Sequence, residues 1–115
     1  MNRTHLAFID LVNRLGQADD AAFPSLFDGL IAHTETHFER EEQWMTASGF
    51  PALQEHRGEH RRVLAELRTL GQRAAAGRLA LGRAYVREQL PAWFALHAAT
   101  MDSALAAHLK GPPKA

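Results

Sequence analysis

The sequence predicts an all-α fold, an antiparallel up-down-up-down four-helix bundle, and three observations carry that expectation. Four stretches show helical periodicity, β-branched residues are scarce, and the breaks between the stretches are short. Sequential helices joined by short connections lie antiparallel, because the linking chain has no length to cross back over the bundle. The 115 residues are expected to form one domain spanning 1–115, with room for a single hydrophobic core and a short flexible tail at 110–115.

The first helix is expected over residues 4–17, with Leu6, Ile9, Val12 and Asn13 toward one side and Phe8, Leu11 and Leu15 widening the stripe. Ala18-Asp19-Asp20 follows, and an aspartate there is suited to capping the next helix. The second helix covers about 22–48, with Pro24 in its first turn, where a missing N–H does little harm. Gly49 terminates it, and Pro51 opens a third helix that runs toward Leu70 or Ala75. After a break at Gly77, the fourth helix covers about 79–109. Pro91 lies inside it and should bend it or interrupt one turn.

Composition removes several classes of function. Thirteen basic residues balance thirteen acidic ones, so no polycation is available to neutralise phosphates and nucleic acid is not an expected partner. Arg57, Arg61 and Arg62 read as a solvated helix face. The chain has no cysteine, which excludes disulfides, iron–sulfur clusters and thiol catalysis. It has no apolar run of the ~20 residues that a membrane helix needs. The start, Met1 to Leu6, is not expected to act as a signal peptide. A cytoplasmic protein is the resulting expectation.

The unusual feature is seven histidines beside a single tyrosine. His33, His37 and Glu41 follow one another at intervals of four on the second helix, so they share a face. His56 and His60 repeat that spacing on the third. His97 and Asp102 lie on the fourth, and His5 lies near the start of the first. In an antiparallel bundle the late part of the second helix meets the early part of the third, and the start of the first and the end of the fourth arrive at that same level. His5, His37, Glu41, His56, His60, His97 and Asp102 are therefore candidate metal ligands at one end of the bundle. Any one of them alone reads as a solvated or hydrogen-bonded side chain. Together they change the reading, because a dry interior disfavours unpaired carboxylates and cations compensate them. Five imidazoles and two carboxylates exceed what one tetrahedral zinc needs, so two metals fit better than one. Iron suits these ligands, as do manganese and zinc.

The ordered motifs resemble the hemerythrin family, specifically its single-domain bacterial members. His5-Leu6-Ala7-Phe8-Ile9-Asp10-Leu11 is similar to the family's first ligand helix. His37-Phe38-Glu39-Arg40-Glu41-Glu42, followed by Met45, matches its paired-glutamate motif. Phe50-Pro51, His56-Arg57-Gly58-Glu59-His60, Trp93-Phe94-Ala95-Leu96-His97 and then Asp102 continue the likeness over nearly the whole chain. The resemblance implies two iron ions per chain. His56, His60 and His97 would hold one, His5 and His37 the other, and Glu41 and Asp102 would bridge them beside an oxo or hydroxo group. It also implies dioxygen as ligand, bound reversibly for storage, delivery or sensing, with no catalytic residues and no enzymatic turnover. A reductase or signalling protein is a candidate partner. Two alternatives stand beside it: a di-iron redox enzyme acting on peroxide or nitric oxide, and a structural or metal-buffering bundle. Phe38, Trp44, Trp93 and Leu96 are expected to exclude water, as well as to serve as core. Glu42 and Glu59 are candidate acceptors for the second imidazole nitrogens. The chain departs from the family pattern at His33, where tyrosine is common, and at Ala98, where a bulky aliphatic residue is common.

Overall fold

The computed structural model describes residues 2–109, with side chains described over residues 6–101 and 104–108. The expected tail at 110–115 lies outside the described residues. Four rods run along the chain. The first three are α1 (Asn2–Gln17), α2 (Phe23–Ser48) and α3 (Leu53–Ala75). The fourth is assembled from α4 (Ala80–Ala84), a π-helical turn π1 (Tyr85–Gln89), α5 (Leu90–His97), a second π-helical turn π2 (Ala98–Asp102) and α6 (Ser103–Leu109). There is no strand among the described residues.

Side-chain pairs between the rods fix their directions. Between α2 and α3, Glu35 meets Arg68 and Glu42 meets Arg57, so rising numbers on one rod meet falling numbers on the other. Between α3 and the fourth rod, Glu66 meets Tyr85, Glu59 meets Trp93 and His56 meets His97, which is again antiparallel. The diagonal pair, α2 and the fourth rod, runs parallel: Phe23 meets Arg83, Phe38 meets Trp93 and Ser48 meets His108. Antiparallel neighbours with parallel diagonals are the up-down-up-down bundle.

The local signals behave physically as the residues dictate. Gly49 closes α2 with φ +66°, a left-handed conformation that a Cβ would oppose, and its N–H and that of Phe50 turn back to the last carbonyls of the helix. Pro24 sits in the first turn of α2. Asp19 contributes one step early: its carboxylate accepts from Ala22 N–H at 2.8 Å, tightening the turn before the helix rather than capping it directly. Pro91 does not break its helix. The wide turn π1 ends immediately before Leu90-Pro91, and it absorbs a ring that would collide with the carbonyl four residues back in a regular α-helix.

The core runs along the bundle axis through Leu15, Phe23, Phe27, Leu30, Val63, Leu67 and Leu90, all fully buried. α1 joins it by a narrower stripe than its periodicity suggested. Phe8 and Leu15 are buried and Leu11 and Val12 half-buried, whereas Leu6 is 66% and Ile9 45% exposed and Asn13 is also outside. Phe8 selects that face by stacking on Phe94, with ring centroids 4.5 Å apart. On the opposite side, Tyr85 donates to Glu66 at 3.0 Å, and burial and that bond keep its phenol protonated far into alkaline solution. No described helix is long and apolar enough to cross a membrane.

Phe27 is fully enclosed among three rods, so Phe27→Ala should lower the unfolding free energy by about 3–5 kcal/mol. Urea denaturation of the metal-free chain measures this, and a loss below about 1 kcal/mol would contradict the packing described.

Candidate metal centre

Heptad-like spacing on straight rods sets up the site. His37 and Glu41 are one turn apart on α2, and His56 and His60 one turn apart on α3, so each pair projects from one helix face toward the axis. His97 closes α5 at the same level. All five side chains are buried, with Glu41 and His60 fully enclosed. One ligand atom from each of Glu41, His56, His60 and His97 lies within 4.8 Å of every other. Oε1 of Glu41 is 3.3 Å from Nε2 of His60, 3.5 Å from Nε2 of His37 and 3.8 Å from Nε2 of His56. Nε2 of His56 is 3.2 Å from Nε2 of His97.

The two shortest of these distances, His60 to Glu41 and His56 to His97, fit a shared cation. Ligand atoms about 2.1 Å from one ion, at tetrahedral or octahedral angles, stand about 3.0–3.4 Å apart. Imidazole nitrogens bring lone pairs and the carboxylate brings negative charge. Crowding such acceptors into a dry interior is unfavourable without a positive centre among them. The same oxygen of Glu41 is thus approached by an imidazole of its own helix, His37, and by two of α3, His56 and His60.

The surrounding side chains hold the rings in place. Phe38 lies flat on His60, with centroids 3.7 Å apart and planes 2° from parallel. Trp93 stacks on His97 at 4.5 Å and 18°. Of the two glutamates expected as acceptors, Glu42 does meet an imidazole, with Oε2 3.2 Å from Nδ1 of His60. Glu59 instead accepts the indole N–H of Trp93 at 2.7 Å, and Trp93 in turn stacks on His97. The Arg62 guanidinium beside Glu59 is the main reason its carboxyl is held below the usual range; the indole N–H adds to this and partial burial works against it.

The arginines expected to be a solvated face are therefore divided. Arg61 and Arg62 are exposed, Arg62 paired with Glu59, whereas Arg57 is half-buried and bonds Glu42. Of the residues expected to exclude water, Phe38 is buried and Trp44 and Trp93 half-buried, but Leu96 points outward at 65% exposure. His33 is half-buried one turn away from His37, outside the cluster. His108 is half-buried and bonds the Ser48 carbonyl at 2.9 Å. The side chains of His5 and Asp102 lie outside the described residues. Their backbone positions are in α1 and at the end of π2.

The turn π2 was not legible in the sequence, although one signal pointed to it. Five residues separate His97 from Asp102, about 1.4 turns of an α-helix, which would leave position 102 off the face of His97. Closing the backbone over i→i+5 bonds brings positions five apart back toward one face. Inside the turn the Thr100 hydroxyl donates to the Leu96 carbonyl at 2.7 Å, the group that its own amide would engage in a regular helix.

The matched family model, the hemerythrin HHE cation binding domain, covers residues 1–109. The chain belongs to the hemerythrin family. It is also 48% identical over 110 residues to a bacteriohemerythrin of Ralstonia nicotianae, a match that covers 94% of this chain and 80% of that protein. No solved structure gives a significant match. The buried cluster of histidines and Glu41 in this hemerythrin domain fits a metal site.

Glu59 gives the site's surroundings a measurable pH signature. Its folded pKa lies below its unfolded value, so its contribution is present above the ordinary carboxylate range and is lost as pH falls through the folded value. Glu59→Gln should cost about 1 kcal/mol at neutral pH, and the difference from wild type should shrink on acidification below about pH 4. Denaturation across a pH series checks this, and a pH-independent difference would contradict it.

Proposed function

We propose that this hemerythrin domain binds dioxygen reversibly at a pair of non-haem iron ions. The observation that carries the reading is Glu41: a fully buried carboxylate with one oxygen approached by His37 of its own helix and by His56 and His60 of α3. His56, His60 and His97 would hold one ion and His5 and His37 the other, with Glu41 and Asp102 bridging them beside an oxo or hydroxo group. Such a pair, when bound, supplies the electrons that reversible oxygen binding borrows and returns.

The chain's own residues do the rest. Phe38 and Trp93 cover the faces of His60 and His97 and keep water from that side of the cluster. Their stacking also limits ring rotation, so the ligand nitrogens stay converged without a metal to gather them. The family relationship supports a carrier rather than an enzyme. Storage, local delivery and sensing are all served by such a site, with a reductase or signalling protein as partner in the last case. The cysteine-free composition supports a cytoplasmic setting.

Anaerobic loading with ferrous iron should yield two irons per chain, and cycles of oxygen and argon should switch the visible spectrum reversibly. One metal per chain, or irreversible oxidation alone, would overturn the proposal. Turnover of peroxide or nitric oxide without a reversible oxygen spectrum would favour the enzyme reading, and full occupancy by a redox-inactive metal with no response to oxygen would favour a metal buffer. Metal should also stabilise the fold by linkage, by about 2.7 kcal/mol at a free-ion concentration one hundred times Kd. In Glu41→Gln that stabilisation should largely disappear, as read by thermal unfolding with and without chelator.

Ala98 is half-buried directly after His97 and leaves more room than a branched side chain would. Ala98→Ile should slow autoxidation of the oxygenated protein, followed spectrally, and an unchanged rate would reject a role for that space.

A further inference from the structure

His60 has two ring faces and two nitrogens to control, and the structure controls them separately. Phe38 lies parallel to the imidazole at 3.7 Å and fixes its plane. Stacking is nevertheless blind to a half-turn of the ring about Cβ–Cγ. That flip keeps the plane while exchanging Nδ1 with Cδ2 and Nε2 with Cε1. A flipped ring would present carbon to the centre and could hold no metal there. Only a hydrogen-bonding partner at the ring edge distinguishes the two orientations.

Glu42 is that partner. Its Oε2 is 3.2 Å from Nδ1 of His60, on the opposite edge from Glu41, whose Oε1 is 3.3 Å from Nε2. The two carboxylates on consecutive residues of α2 thus address opposite nitrogens of one imidazole. They also compete for one proton, since a neutral imidazole carries it on either nitrogen. Arg57 decides the competition by geometry: its Nε donates to Oε1 of Glu42 at 2.9 Å, which holds the other carboxylate oxygen toward His60 and keeps the group an acceptor. A proton on Nδ1 leaves the lone pair on Nε2, facing Glu41.

We propose that Glu42, held by Arg57, is a positioning residue that selects the ring orientation and tautomer of His60 in which Nε2 is the metal ligand. The proposal rests on the metal-centre reading above. Its geometry is a relay from the surface inward: Arg57 and Glu42 line a surface cavity of about 440 Å³ with Glu39, Gln43, Thr46 and Ala47, while His60 is fully enclosed. Carboxylate partners of this kind orient ligand imidazoles and raise their basicity, and their removal costs about 10–100-fold in metal affinity.

Glu39 supplies the control, because it lines the same cavity and carries the same charge. Full-length wild type, Glu42→Ala, Glu42→Gln and Glu39→Gln are titrated with zinc against a competing chelator. The side-chain nitrogens of His60 are followed by NMR in the metal-free chain. Glu42→Ala should lose about 10–100-fold in affinity together with the His60 Nδ1–H signal. Glu42→Gln should retain that signal and most of the affinity, since its amide oxygen accepts the same N–H, and Glu39→Gln should match wild type. Equal binding by wild type and Glu42→Ala would overturn the proposal. So would an equal loss in Glu39→Gln, which would make the effect one of charge alone, or a loss in Glu42→Gln as deep as in Glu42→Ala. If wild type itself binds no zinc, the metal-centre reading falls instead, and the metal-free signal still decides the tautomer of His60.

Discussion

The arrangement turns on placing one carboxylate, that of Glu41, in the dry middle of a helical bundle. A buried charge is costly unless opposite charge or strong hydrogen bonds surround it. Here the surroundings are imidazoles from α2 and α3, with a further one at the end of α5 close by. Imidazoles can donate protons to a carboxylate, but several nitrogens aimed at one oxygen suit a cation better than a set of protons. Stability and ligation are then linked: whatever binds among these groups in the folded chain also stabilises the fold.

The bundle divides its labour along its length. In the half near the start of α2, Phe23, Phe27, Leu30, Leu67 and Leu90 form a core without buried charge. The other half gives its axis to histidines and Glu41, with a smaller apolar cluster of Met45, Phe50 and Leu105 closing the end beyond them. The apolar half can therefore hold the rods in register while the polar half is kept converged. Long-range pairs on the outside reinforce that register, from Arg83 with Asp20 and Arg68 with Glu35 to Arg57 with Glu42. Exposed pairs of this kind add little stability individually, but each opposes sliding of one rod past another.

Two wide turns adapt the fourth rod to two different demands. π1 accommodates Pro91, so the rod continues to Trp93 and His97. π2 follows His97 directly and resets which positions share its face. A uniform α-helix over the same residues would satisfy neither.

Residue order alone is enough for the four rods, their antiparallel order and the level at which His37, Glu41, His56, His60 and His97 meet. Those features follow from local rules: Gly49 ends a helix because only glycine takes its φ easily, and His37/Glu41 and His56/His60 share faces because of the 3.6-residue turn. Family motifs added the candidate roles. Contacts between rods followed instead from packing. The inward face of α1 was ambiguous over a broad apolar stripe until Phe8 met Phe94, which turned Leu6 and Ile9 outward. Glu42 and Glu59 were equivalent as candidate acceptors until packing set one against His60 and the other against Trp93. Arg57 read with Arg61 and Arg62 as one solvated group until packing half-buried it against Glu42. Periodicity reports which side of a helix is apolar. It carries no information on which atom of a neighbouring helix will stand opposite, because that depends on the distance, rotation and register of two rods at once.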